Sequence, residues 1–386
     1  MKKKDIIQLQ VNHNVLIWAR ESLAMSRNQA CERSDISDRR LVQLEEGEQL
    51  PTLDELKALS KVYKRTIATL LLAERPKEKP LPRDRRTVDS KDLNAFHEKT
   101  IVAIRKARAL GSSLIELKKE LGIEIPRINF SLSINDNPRD AAHSIGAGLR
   151  LNEIREEEGV NHTLALEEYI SKVESLGIAI FQLSLIQDDL RGFSIIDEGI
   201  PIIGIRKNDQ ITGKIFTLFH ELGHILLRED GSCDISGISS NRIEEWCNAF
   251  SAEILIPSDE LKHHPLVIAH KQSGQNDWQK QLLAQIGDHF HAGPLAILRG
   301  LLEIGLTTRE FYFEKHKIWN TQSSFGRSQH PEGRNPSKET IKEKGKSYVS
   351  LAFQAFDQNR INLKDLSDYL GIKLSYIPKT RQLLNA

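Results

Sequence analysis

The chain has 386 residues, 39% of them hydrophobic and 28% charged, with a formal net charge of +1. At roughly 150 residues per domain, that length predicts two or three domains with real cores and excludes a disordered chain. The near-zero charge excludes an overall field directed at nucleic acid or membrane, though not a local basic surface. Met1-Lys2-Lys3-Lys4-Asp5-Ile6 has no apolar stretch behind its charges and does not read as a signal peptide. No apolar run reaches the roughly 18 residues that a membrane span needs. Cys31, Cys233 and Cys247 are odd in number and scattered, which fits a reducing cytoplasm better than a disulfide framework.

Apolar spacing predicts helices throughout the first block. Val15, Trp18, Ala19 and Leu23 fall at helical intervals, and short helices follow at Asn28–Glu32, Asp38–Glu45, Leu53–Tyr63 and Thr66–Leu72. A seam runs from Pro76 to Arg86, where three prolines and a charge cluster cannot sustain a helix or a central strand. A long helix is expected from Lys99 to Leu121. Strand patterns follow at Ala179-Ile180-Phe181 and Gly192–Ile196, and then at Ile202–Ile205 after the turn signal Asp197-Glu198-Gly199. Helices resume near Gly213. A second seam, Thr321–Lys338, is rich in serine, glycine and proline. Gly146-Ala147-Gly148 is too short for a phosphate loop and reads as helix packing. Strands followed by helices predict an α+β fold.

Phe216-Thr217-Leu218-Phe219-His220-Glu221-Leu222-Gly223-His224-Ile225-Leu226-Leu227 holds an H-E-x-x-H helix. At 3.6 residues per turn, His220 and His224 stack on one face and can meet one metal ion. Glu221 lies about 100° around the helix, which suits a general base better than a ligand. Zinc lowers the pKa of water bound to it, and the glutamate can take that proton. Phe216, Phe219, Ile225 and Leu226 would anchor the helix in a core. Three fixed positions in five also arise by chance, so the third ligand matters.

Catalytic zinc takes three protein ligands and one open position. Asp230 lies ten residues after His220, but a ligand there needs a tight turn, usually through glycine, where this chain has Leu227. Cys233 and Cys247 could ligate as thiolates, without support from their spacing. Glu244 is the best candidate. It opens a helix that runs to the stop at Pro257, on which Glu245 and Glu253 are rivals. Asn248, four residues on, shares a face with Glu244 and is expected to orient a ligand from behind.

The segment 216–224, followed by Glu244-Glu245-Trp246-Cys247-Asn248-Ala249-Phe250-Ser251-Ala252-Glu253, resembles the ImmA/IrrE family of metallo-endopeptidases. The strands at Gly192-Phe193-Ser194 and Pro201-Ile202-Ile203 look like that family too. So does the order of a helix-turn-helix block, a proline-rich seam and a peptidase. The resemblance covers most of residues 10–312 and is strongest over 190–257. It implies a gluzincin-like fold with zinc (Zn2+) held by His220, His224 and Glu244, and Glu221 as base. Family members cleave repressor proteins, which implies a repressor-like substrate. Cys247 and Ser251 stand where many relatives carry alanine. The strand Gly192–Ile196 is expected at the sheet edge facing the cleft, where a substrate strand would add. No oxyanion-stabilising residue is assigned; His263, His264, His289, His291 and Tyr312 are open.

Residues 14–72 resemble an Xre-type helix-turn-helix, with Asp38–Glu45 as recognition helix. Arg39, Arg40 and Gln43 would reach groove edges and phosphates. Asp38, Glu45 and Glu46 weaken the electrostatic case, leaving protein binding or dimerisation as the alternative to DNA. The expected organisation is an all-α helix-turn-helix domain at 10–75, a linker at 76–92, and a zinc peptidase domain at 93–320. The last includes a second helix-turn-helix-like stretch at 282–312, expected to act as support. A linker or loop at 321–338 and a helical C-terminal region at 339–386 follow, with an amphipathic pair over Ser347–Ile372. The leading expectation is a cytoplasmic zinc endopeptidase that cleaves a repressor-like protein. Double-stranded DNA is a second partner, a homodimer is open, and no membrane partner is expected. The alternative is a DNA-binding regulator whose peptidase fold senses metal or sequesters a partner without cleavage. A third option is a toxin–antitoxin or phage-defence component.

Overall fold

The computed structural model describes residues 8–79, 81, 96–126, 132–186, 190–196, 199–227, 240–274, 277–323 and 335–385, with backbone alone at 240 and 320–323. Asp230 and Cys233, weighed above as ligands, lie outside the described residues. So do Asp197 and Glu198 of the turn signal, residues 80 and 82–92 of the expected linker at 76–92, and residues 324–334 of the second seam. No described helix is long and apolar enough to cross a membrane. The chain divides into two compact units, 1–83 with 89–106, and 84–88 with 107–386.

The first unit is helical: α1 (His13–Glu21), α2 (Arg27–Ser34), α3 (Asp38–Glu45), α4 (Leu53–Val62), α5 (Ile67–Leu70) and the start of α6 (Glu98–Glu120). Polar side chains at the helix heads explain the starts. Ser26 and Thr52 form capping boxes with Gln29 and Glu55, while Ser37 and Thr66 cap α3 and α5. The Ser26 cap and a left-handed Asp35 make α2 longer than the Asn28–Glu32 expected from apolar spacing. Leu16, Ala19, Leu41, Leu44, Leu56 and Leu59 close the core. α3 fits the recognition-helix span expected from sequence.

The second unit is α+β. It opens with the rest of α6, then α7 (Pro138–Gly148), α8 (Leu151–Glu156) and α9 (His162–Glu174). Strands β1 (Ala179–Leu183), β2 (Gly192–Ile195) and β3 (Ile202–Arg206) form a sheet of order β1-β3-β2. β1 runs parallel to β3, and β2 runs antiparallel to it with Phe193 opposite Gly204. Alternation sorts the two faces. Ile180, Ile203 and Ile205 join the core with α10 (Ile211–Leu226). On the other face, Ile202 meets α6 closely enough that a Cβ on Gly111 would lie 2.6 Å from its Cδ1. Phe181 meets Tyr348 edge-on there at 6.2 Å. With both faces covered, the strands read as nearly continuous apolar runs.

α11 (Ser240–Leu255) packs against α10 and α7. Gly146 of α7 packs on Ile254 of α11, in line with the helix-packing reading, whereas among the described residues nothing packs on Gly148. Helices α12 (Ser258–His263), α13 (Pro265–Gln272), α14 (Lys280–Phe290), α15 (Pro294–Glu303) and α16 (Arg309–Ser323) follow. Leu283, Ile286 and Phe290 of α14 and Ile297, Leu298 and Leu301 of α15 belong to the same core as α10. The C-terminal helices α17 (Pro336–Lys344), α18 (Lys346–Asp357), α19 (Leu363–Leu370) and α20 (Ile377–Leu384) complete the unit, with α17 packed on β1.

Candidate metal centre

α10 is apolar on nearly every side and buried from Thr217 to Leu226. Within it, His220 is 1% exposed and His224 8%. Their Nε2 atoms lie 3.2 Å apart. α11 delivers the third group. Glu244 Oε2 is 3.2 Å from His220 Nε2, and Glu244 Oε1 is 3.2 Å from His224 Nε2. Among the described residues, these three side chains alone bring metal-ligating atoms together in this way. Burial pushes the Glu244 carboxyl up, but hydrogen bonds from both imidazoles outweigh it and hold the group well below the usual carboxylate range.

The donor set fits zinc. Two nitrogens and a carboxylate are its usual hydrolytic complement. Bonds of about 2.0 Å in tetrahedral geometry place ligand atoms about 3.3 Å apart, close to the three separations observed. The rivals of Glu244 are placed elsewhere. Glu245 is exposed and accepts from Asn241 Nδ2 at 2.9 Å. Glu253 is buried in another network, accepting from Ser258 N at 2.9 Å and Ser258 Oγ at 2.6 Å, with His143 Nε2 at 2.8 Å.

Two glycines make the geometry possible, and neither was given a role from sequence. A Cβ on Gly223 would lie 3.2 Å from Cys247 Sγ and 3.4 Å from Phe250 Cδ1, so the missing side chain lets α11 approach α10. A Cβ on Gly192 would lie 3.3 Å from Glu221 Cγ and overlap Thr217 Cγ2. β2 therefore runs directly against the face of α10 that carries Glu221. A glycine inside an apolar helix or strand is the sequence signal for such close approach.

Asn248 departs from expectation. It is exposed, and among the described residues it makes no hydrogen bond to either histidine. Cys247, one residue earlier and fully buried, occupies the position behind His224, with Sγ 3.5 Å from Nδ1. The crossing of α10 and α11 turns that residue inward and Asn248 outward. The histidines left open for an oxyanion role have local partners: His263 Nδ1 is 2.8 Å from Asp259 O, His264 caps α13, and His291 Nε2 is 3.4 Å from Ile154 O. The rings of His289 and His264 lie 5.5 Å apart.

On α3, Arg39 is exposed and Gln43 half-buried. Arg40 is placed otherwise. Its Nε and Nη2 donate to the two oxygens of Glu55 at 2.7 and 3.0 Å, Nη2 also donates to Leu50 O at 3.0 Å, and Nη1 donates to Gln49. With these donors engaged inside the domain, Arg40 staples α3 to α4. Glu45, counted above against DNA, is buried and neutralised. Arg20 Nε and Nη2 bind it at 2.7 and 3.0 Å, and Arg27 Nε lies 3.3 Å away.

Comparison with known proteins agrees with this arrangement. Residues 173–292 match the family model of the IrrE N-terminal-like domain, a peptidase family, and residues 16–70 match a helix-turn-helix model. No curated protein and no solved structure matches the chain. The chain thus joins an Xre-type helix-turn-helix domain to an IrrE N-terminal-like domain of peptidase family M78.

Proposed function

We propose that the protein is a cytoplasmic zinc endopeptidase that cleaves a repressor-like regulatory protein. The observation that carries the reading is the convergence of His220, His224 and Glu244 beside Glu221, within a domain of a peptidase family. His220, His224 and Glu244 would hold zinc, which when bound supplies Lewis acidity toward water and the scissile carbonyl. Glu221, 4% exposed and held on a rigid buried helix, takes the proton of the attacking water on its carboxylate and delivers it to the leaving nitrogen. β2 ends the sheet beside Glu221, and its outer edge would bind the substrate as an added strand. Close packing of β2 on α10 keeps that strand in register with the base.

The helix-turn-helix supports double-stranded DNA as a second partner, with Arg39 and Gln43 as the residues of α3 that could reach it. Internal neutralisation of Glu45 removes one charge that would repel phosphate. The test is Glu221→Gln, incubated with candidate helix-turn-helix repressors beside the wild type. The variant should keep stoichiometric zinc and lose cleavage by about 100-fold or more. Unimpaired cleavage would sink the mechanism. Regulation in cells that survives Glu221→Gln but not Arg39→Ala would favour a DNA-binding regulator that does not cleave.

A further inference from the structure

His224 turns one ring nitrogen to the metal centre and the other to α11. Its Nε2 lies 3.2 Å from both His220 Nε2 and Glu244 Oε1, while its Nδ1 lies 3.5 Å from Cys247 Sγ. Cys247 is 0% exposed, and the sulfur sits in space that Gly223 leaves open. Among the described residues His220 has no such support: its Nδ1 is buried without a hydrogen-bond partner there, and its ring stacks on Phe216 with centroids 6.2 Å apart.

Ligation through Nε2 requires the lone pair there, so the ring proton must sit on Nδ1. A buried N–H needs an acceptor, and outer partners of this kind fix both tautomer and ring orientation in metal sites. Sulfur is a weak acceptor, yet it is the hydrogen-bonding atom that the described residues place against His224 Nδ1. We infer that Cys247 is a positioning residue of the metal centre: its sulfur accepts the Nδ1–H of His224 and holds the ring with Nε2 toward zinc. This inference rests on the metal-centre reading above. The competing explanation is packing alone, since a buried cysteine commonly acts as a small apolar side chain.

Three variants of the full chain separate the two. Cys247→Val fills the space without an acceptor, Cys247→Ala removes both, and Cys247→Ser keeps an acceptor. Zinc affinity is measured by chelator competition, with the thermal melt of chelator-treated protein as a check on folding. Nitrogen-15 NMR of the zinc-loaded protein reports the His224 Nδ1–H directly. The alanine and valine variants should bind zinc about 10–100-fold more weakly. Serine should recover part of that loss. The Nδ1–H resonance should exchange slowly in wild type and serine variant and be lost to exchange in the other two. Wild-type affinity in the valine variant, or a serine variant as weak as valine, would overturn the inference and leave the metal centre standing. A wild-type chain that binds no zinc would overturn both.

Discussion

Gly192 lies against Glu221: a Cβ on the strand residue would come within 3.3 Å of the glutamate Cγ and overlap Thr217 Cγ2. The strand that would bind substrate and the residue that would move the proton are thus set by one contact. Gly192→Ala should force β2 off α10. Overpacking of this kind costs about 1–3 kcal/mol. The ligands themselves sit on α10 and α11, so zinc content should fall less than cleavage. Thermal melts, zinc content and cleavage rate of the variant check this. Full activity with an unchanged melting temperature would show that the strand can move without consequence.

Neighbouring arginines on α3 should behave oppositely. Arg40 is tied to Glu55 by two charge-assisted hydrogen bonds, while Arg39 is exposed. Arg40→Ala should destabilise the helix-turn-helix unit by about 1.5–3 kcal/mol, the scale of a lost hydrogen bond to a charged group. Arg39→Ala should leave the melt unchanged and weaken duplex binding, lowering the salt dependence by about one phosphate contact. Melts of the two variants and duplex titration across a salt series provide the comparison. Duplex binding by the wild type that does not respond to Arg39→Ala would remove this residue from the interface.

The contrast between these residues shows where sequence reading reaches. His220 and His224 were legible because their relation is local: four residues on a helix fix a shared face. Arg40 was not, because its partner Glu55 lies on the next helix, and a surface arginine on a recognition helix looks the same whether it reads a groove or staples the domain. Glu55 itself was half-legible, as the third residue of the Thr52 capping box. Asn248 and Cys247 differ by about 100° around one helix. Apolar period alone does not say which of them a crossing helix turns inward, and it was the close approach at Gly223 that decided for Cys247. The α+β class and the strand positions came through because alternation and apolar runs register burial directly. The packing of α17 on β1 depends on a long-range return of the chain that no local pattern records.

The approach of α11 to α10 makes Gly223 and Cys247 energetically coupled. Gly223→Ala should gain about 1 kcal/mol of helix propensity. It should also press its Cβ on a sulfur 3.2 Å away and on Phe250. In the wild-type background the pressure should outweigh the gain, lowering stability and zinc retention together. In a Cys247→Ala background the contact with sulfur is absent, and the same substitution should become less harmful. A double-mutant cycle on melting temperature and zinc affinity measures the coupling. Strict additivity would mean that Phe250, and not Cys247, sets the helix spacing.

Glu174, at the end of α9, gives the second unit a pH dependence of predictable sign. Burial pushes its carboxyl up from the ordinary 4.5 to about 7, against the opposing effects of the Ser347 hydroxyl that donates to it and the nearby Lys118 ammonium. A carboxyl raised in the folded state favours folding most below its unfolded value. As pH rises from about 4.5 toward 7, the unfolded chain has released the proton that the folded chain keeps, so stability falls; above about 7 the loss is complete and levels off. Glu174→Gln carries no such proton and still accepts from Ser347. Relative to wild type, it should therefore gain stability as pH rises, with most of the change between about pH 4.5 and 7. Paired melts across that range test it. A difference between wild type and variant that stays constant with pH would mean that Glu174 is ionised throughout, with Lys118 outweighing burial.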